Sequence, residues 1–324
     1  MSTPLRRLLK AMTSLLIAAI VVFPLTQHLT DARPPAKPRP ADSGLKFITW
    51  ADPNTPEWDQ KLHITGIRMG CSAQPVNCLK AASNLLQSHP NARIFLSGVL
   101  QPGELDEYAQ EYSRLSLQNG FLEEVGVDDF VGQYARLFRN GAGDPVATLG
   151  KVINGLKSRN KNLHFGITLY ENELDSPFVQ DPKMPATLRN GVDYVHLFLI
   201  YRENARNYES YVRRAKKSFP NARIIGGVYA YDRISYVPCA QSGSRPCTAD
   251  QELSLFKQAL DIQLRLLKSG ELDWLEFFPG AYGNEATWNG WDRPRICPGR
   301  KQECITNTLK LRETVADAMS RAVN

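Results

Sequence analysis

The chain has 324 residues, of which 43% are apolar, 22% charged and 9% aromatic, a composition that can bury a large core and excludes a disordered polymer or a fibrous repeat. Its formal charge is +6, but residues 1–42 hold six basic against two acidic side chains, leaving 33 basic and 31 acidic in residues 43–324. So neutral a body argues against a nucleic-acid partner, because Lys and Arg on the folded surface supply most of the affinity for phosphate.

At the amino terminus, Arg6, Arg7 and Lys10 precede an apolar run from Ala11 to Leu25. Charge first and apolar second is the order of an export signal. The run spans 15 residues, short of the roughly 20 needed by a membrane-crossing helix, which fits a cleaved signal peptide. Residues 25–32 contain no small-x-small cleavage site, so an uncleaved inner-membrane anchor with Lys10 held inside fits as well. Both readings of residues 1–32 place the body outside the cytosol, either in the periplasm or secreted. Residues 33–44 include four prolines between Arg33 and Pro40 and predict an extended, semi-rigid linker. The remaining residues, 45–324, are long enough for one α/β barrel, which commonly uses about 250 residues.

Six cysteines fall into three close pairs: Cys71 with Cys78, Cys239 with Cys247, and Cys297 with Cys304. Six cysteines permit fifteen connectivities, and local pairing is the inference from proximity. Three disulfides, each stapling a small loop, suit an oxidising compartment. A zinc site is the weaker alternative, since no pair has the two-residue gap of a zinc knuckle and no His-rich segment lies alongside.

From Leu45 onward short β-branched or aromatic runs alternate with amphipathic stretches. The strand candidates are Lys46–Trp50, Ile64–Met69, Arg93–Val99, Leu122–Val127, His164–Tyr170, Tyr194–Ile200, Arg223–Tyr229 and Asp273–Phe278. Helices are expected over Val76–Ser88, Glu104–Gln118, Val146–Lys157, Ala205–Ser218, Gln251–Lys268 and Thr306–Ala322. Eight strand-helix units in series predict a (β/α)₈ TIM barrel with disulfide-stapled loops. The first unit is irregular, with Pro53 and Pro56 between its strands. A doubly wound open sheet is the competing topology, but neither a Gly-x-Gly-x-x-Gly turn nor a phosphate loop is present to mark its nucleotide crevice.

Side chains along a barrel strand alternate between helical shell and lumen, and the shell set should be aliphatic. Phe165, Ile167 and Leu169 suit the shell, which turns Gly166, Thr168 and Tyr170 inward. The same parity turns Arg68, Ser97, Gly126, Asp128, His196, Phe198, Arg202, Gly227, Tyr229, Tyr231, Trp274, Glu276 and Phe278 inward. A carboxyl-end layer containing Arg68, Asp128, Tyr170, His196, Tyr229 and Glu276 is unlike the Val, Ile and Leu of a purely structural barrel. A buried carboxylate is costly unless paired or used. For Glu276 the structural alternative is a salt bridge to Arg68 or a hydrogen bond to Tyr229.

Active sites of this architecture sit at the carboxyl ends of the strands, where Asp128, Glu171 and Glu276 are the expected catalytic carboxylates. Glycoside hydrolysis needs two carboxyl groups, one protonated to assist the leaving oxygen and one ionised as base or nucleophile. Asp129 could cap the following helix, and Glu171 and Glu173 could be solvated loop charges, the reading preferred for Glu173. Substrate binding is expected from Arg68, Tyr170, His196, Tyr229 and Tyr231. Tyr282, Trp288 and Trp291 belong to a glycine-punctuated loop that could offer flat rings to sugar faces or simply pack the loop onto the barrel. No metal or other cofactor is expected: His63, His164 and His196 lack ligand spacing, and no Gly-x-Ser-x-Gly elbow occurs.

The segments Gly126-Val-Asp-Asp-Phe130 and Trp274-Leu-Glu-Phe-Phe278, set in this architecture, resemble the (β/α)₈ glycoside hydrolases, particularly bacterial barrels acting on polysaccharides. The resemblance implies acids at the ends of the middle and last strands, which correspond to Asp128 and Glu276. The Asp-x-x-Asp-x-Asp-x-Glu signature of chitinase-like barrels is not present, so their substrate-assisted mechanism is not implied. The expected function is an exported hydrolase of a bacterial polysaccharide or oligosaccharide. The alternative is a non-catalytic carbohydrate-binding barrel in polysaccharide export or envelope assembly. The sequence does not specify an oligomeric state.

Overall fold

The computed structural model describes residues 46–50, 62, 64–71, 74–98, 104–139, 141, 143–230, 249–278 and 301–323. Eight parallel strands close into a barrel in chain order: β1 (Phe47–Trp50), β2 (Gly66–Gly70), β3 (Arg93–Gly98), β4 (Leu122–Val127), β5 (His164–Tyr170), β6 (Tyr194–Phe198), β7 (Arg223–Tyr229) and β8 (Trp274–Phe278). β8 returns to β1 with Glu276 opposite Ile48, so the described strands have no free edge and each inner face looks into the lumen.

The shell is formed by α1 (Pro75–Leu85), α2 (Leu105–Ser116), α3 (Phe130–Arg139), α4 (Pro145–Leu156), the short α5 (Ala186–Arg189), α6 (Tyr208–Ser218), α7 (Ala249–Lys268) and α8 (Lys301–Val323). Local chemistry sets several of these boundaries. Pro75 and Pro145 open α1 and α4, where a missing N–H is harmless. The Asp144 carboxylate accepts the Val146 and Ala147 N–H groups and caps α4. α3 lies outside the helices expected from sequence, although Phe130, Tyr134 and Leu137 are buried at helical spacing along it.

Outward residues of the strands, including Val125, Val127, Phe165, Ile167, Leu169, Val195, Leu197, Leu275 and Phe277, are buried in one apolar core beneath the helices. Truncating one of the leucine, isoleucine or phenylalanine side chains among them to alanine is expected to cost about 2–5 kcal/mol. Inside the barrel, Ile48, Phe95, Tyr194, Ile225 and Trp274 form a separate apolar plug toward the amino ends of the strands. Higher up, a Cβ on Gly227 would lie 2.3 Å from the Phe198 ring, so only glycine leaves room for that aromatic side chain.

The Cys71–Cys78 disulfide joins the end of β2 to α1, with a Cα–Cα distance of 5.9 Å. It is one of the three expected staples. The Cys239–Cys247 pair, the side chains of Cys297 and Cys304, residues 1–45, Tyr231, Tyr282, Trp288 and Trp291 lie outside the described residues. Among the described residues no helix is long and apolar enough to cross a membrane.

Candidate functional site

The even-numbered strands each send one charged side chain into the middle of the lumen: Arg68, Glu124, His196 and Glu276, all with no exposed surface. Side chains of a TIM-barrel interior stack in layers drawn from alternate strands, and here a layer usually aliphatic is ionic. Arg68 Nη1 donates to Glu276 Oε1 at 3.2 Å and Oε2 at 3.3 Å. Arg68 Nη2 donates to Thr168 Oγ1 at 2.6 Å and Ser97 Oγ at 3.3 Å. His196 Nδ1 meets Glu276 Oε2, while Nε2 lies 2.8 Å from Glu124 Oε2.

Neutral imidazole has one donor nitrogen and one acceptor, whereas carboxylates only accept. A carboxyl group at each ring nitrogen of His196 is an arrangement that favours an imidazolium donating from both. Burial and Arg68 pull the His196 pKa down, but Glu124 and Glu276 outweigh them and it is raised. Burial pushes the Glu276 pKa up, yet Arg68 and His196 prevail and it is lowered. With two cations and two anions the layer is neutral, which is how it tolerates burial.

Glu124 was missed as a candidate, although the parity that turns Gly126 and Asp128 inward turns it inward too. The glycines around it are a second signal. A Cβ on Gly166 would lie 2.2 Å from Glu124 Oε1, and one on Gly126 would lie 2.5 Å from the same atom. Two neighbouring strands thus give up their side chains to make room for one carboxylate.

At the carboxyl ends the rim has two unlike halves. Trp50, Phe278, Tyr229 and Phe198, from β1, β8, β7 and β6, form an aromatic arc with successive ring centroids 5.4, 5.7 and 4.9 Å apart. Asp128, Asp129 and Glu173 stand at the ends of β4 and β5. The Asp128 side chain is 39% exposed and its Oδ1 lies 3.9 Å from Arg68 Nη2. Asp129 adopts φ 46°, a left-handed conformation that costs a non-glycine residue about 1–3 kcal/mol and that aspartate tolerates better than most. Its carboxylate accepts the Tyr170 hydroxyl at 2.7 Å, and Tyr170 in turn accepts the Tyr229 hydroxyl at 3.0 Å. Desolvation by the surrounding wall, then the Asp128 charge, raises the Asp129 pKa against the opposing pull of Tyr170 and Arg68.

Glu173 is half-buried and accepts the Tyr170 backbone N–H at 3.0 Å. Burial, reinforced by the charges of Asp129, Glu171 and Asp128, raises its pKa to about 7. The expectation of a solvated loop charge is corrected: the turn after β5 folds Glu173 back against its own strand end. Glu171 also differs from expectation. It is buried and its oxygens accept the Ile200 and Tyr201 N–H groups at 2.7 and 2.9 Å and the Asn204 amide at 3.1 Å, which ties the segment after β6 to the end of β5.

Glu276 faces the lumen as parity requires, but it meets Arg68 and His196 inside rather than the open rim. His196 likewise lies in the buried layer. Arg202 does not enter the lumen, because β6 ends at Phe198 and a 3₁₀ turn over Arg202–Asn207 redirects the chain. Its guanidinium instead pairs with Glu252 at 2.5 Å and lies 4.7 Å from the Phe256 ring centroid, both on α7. Among the described residues no group of three or more His, Cys, Asp or Glu side chains is arranged to hold a metal ion.

No protein-family model matches the chain, and no curated protein matches its sequence. Its backbone is similar to a glucosidase from Croceicoccus marinus, at 11% identity and TM-score 0.54, covering 85% of this chain and 67% of that one. It is also similar to the GH53 catalytic domain of Ignisphaera aggregans, at 12% identity and TM-score 0.52, covering 84% of this chain and 91% of that one. A third similar structure is the catalytic domain of a hyperthermophilic chitinase from Pyrococcus furiosus, at 11% identity and TM-score 0.50, covering 84% and 96%. At such identities the likeness concerns the backbone alone, and the chain has a (β/α)₈ fold of the kind found in glycoside hydrolases.

Proposed function

We propose that the protein is an exported glycoside hydrolase acting on a bacterial polysaccharide, with its chemistry on the acidic half of the rim. The observation that carries this reading is Glu173: a carboxyl group with a pKa raised to about 7, at a strand end beside Asp128 and Asp129. A carboxyl still protonated near neutral pH can act as general acid. Glu173 would give its proton to the glycosidic oxygen as the anomeric bond breaks. Asp128 would either take a proton from the attacking water or attack the anomeric carbon itself, which are the inverting and retaining variants of one two-carboxyl scheme. Asp129, aimed by the Tyr170–Tyr229 chain, would meet sugar hydroxyls. The opposing aromatic arc offers apolar area to pyranose faces.

In this assignment Glu276 and Glu171 leave the catalytic set. Glu276 is spent on Arg68 and His196, and Glu171 on backbone N–H groups. Residues 1–32 would export the barrel or anchor it to the inner membrane, and the Cys71–Cys78 disulfide supports an oxidising compartment.

Release of reducing ends from a panel of bacterial glycans tests the proposal. Wild-type protein should generate new ends, and Glu173→Gln or Asp128→Asn should lose about 10²–10⁴ of the rate. Binding without new ends would mean a carbohydrate-binding barrel instead, and full activity in both variants would refute the site.

A further inference from the structure

Arg68, Glu124, His196 and Glu276 come from β2, β4, β6 and β8 and have no exposed surface. Arg68 reaches from this layer toward the rim. Its Nη2 bonds Thr168 and Ser97 and stands 3.9 Å from Asp128, and its guanidinium carbon lies 4.9 Å from the Trp50 ring centroid. Its other terminal nitrogen is gripped by Glu276, and one Glu276 oxygen also meets His196 Nδ1. The far nitrogen of His196 reaches Glu124 at 2.8 Å, and Glu124 fits because Gly126 and Gly166 leave its space open.

We propose that Glu124 and His196 are positioning residues: clamped between two carboxylates as an imidazolium, His196 fixes Glu276, and Glu276 in turn fixes Arg68 beneath Asp128. The order of contacts supports this. If His196 lost its charge, one ring nitrogen would turn a lone pair toward a carboxylate, and that repulsion would fall on Glu124 or on the oxygen Glu276 shares with Arg68. The groups facing the ring are Glu124 from β4, Glu276 from β8, Arg68 from β2 and the uncharged Phe95 ring from β3. Two anions against one cation favour the charged ring. The effect on catalysis rests on the hydrolase reading above; the protonation and the placement of Arg68 do not.

The test is nitrogen NMR of the full chain labelled in histidine and arginine. One of the five histidines should remain doubly protonated well above pH 6.5, the usual midpoint for the residue, and its signal should vanish in His196→Gln. Glu124→Gln should lower that midpoint by about 2 pH units and release the hindered rotation of the Arg68 guanidinium. Gly166→Ala removes no polar group, but its Cβ would sit 2.2 Å from Glu124 Oε1, and it should release Arg68 in the same way. With a hydrolysed glycan in hand, both variants should lower kcat by about 100-fold with KM nearly unchanged.

A wild-type His196 that titrates near pH 6.5 overturns the proposal, as does an Arg68 signal unaltered in folded Glu124→Gln and Gly166→Ala. If neither variant folds, the wild-type titration decides alone. A protein that hydrolyses no glycan defeats the hydrolase reading and leaves this titration standing as its own test.

Discussion

The middle layer of the lumen and the rim above it both carry carboxylates, but they solve opposite problems. In the middle layer Glu124 and Glu276 have no exposed surface and are matched by Arg68 and His196, so charge is balanced and motion is restricted. On the rim Asp128, Asp129 and Glu173 crowd one another with Arg68 as their near cation, and Asp129 and Glu173 have raised pKa values. A carboxylate deep in a barrel is thus no better a catalytic candidate for being buried. What distinguishes a reactive group is incomplete compensation next to open space.

Disturbing the two regions should therefore break different properties. The largest effect is expected from Glu276→Ala, which leaves the buried Arg68 and His196 with Glu124 as the one acidic side chain remaining in their layer and should cost about 3–5 kcal/mol of stability, read from urea denaturation. Rim variants should do the reverse: Asp128→Asn is expected to change stability by no more than about 0.5 kcal/mol, and it and Glu173→Gln should both abolish most activity. If Asp128→Asn destabilised the barrel as much as Glu276→Ala, the division between layers would fail.

A smaller effect is expected at Glu171. Glu171→Met should leave the Ile200 and Tyr201 N–H groups without their acceptor and cost about 1–3 kcal/mol, with faster hydrogen exchange confined to the segment after β6. A further effect concerns pH. The folded pKa of Glu173, about 7, lies above its ordinary value of 4.5, so the folded state holds a proton that the unfolded state has already released between those limits. Stability should fall as pH rises through that window, and Glu173→Gln should flatten the fall in thermal melts recorded from pH 4 to 8.

The fold was largely legible in the sequence. All eight strand candidates coincide with observed strands to within a few residues, because β-branched and aromatic runs at period two survive the absence of tertiary information. Inward parity at Thr168, Tyr170, His196 and Glu276 was legible for the same reason. Parity failed at Arg202, where the strand had already ended and the alternation no longer applied. Partnerships were much less legible. His196 and Glu276 are 80 residues apart, and the N–H groups that occupy Glu171 come from about 30 residues away. Whether a carboxylate is free or spent depends on such contacts: the Arg68 salt bridge of Glu276 was legible as an alternative to catalysis and is the one formed, whereas nothing in the sequence revealed the partners of Glu171. Glu173 failed in the other direction, since its burial arises from the turn that follows β5.

The most direct test of this account is the titration of the Glu173 carboxyl group by carbon NMR in otherwise native protein. The account predicts one glutamate midpoint near pH 7 that disappears in Glu173→Gln and persists in Glu171→Gln. If every glutamate of the folded protein titrated below about pH 5, close to the ordinary carboxylate range, the rim would have no proton donor at neutral pH and the hydrolytic assignment would be contradicted.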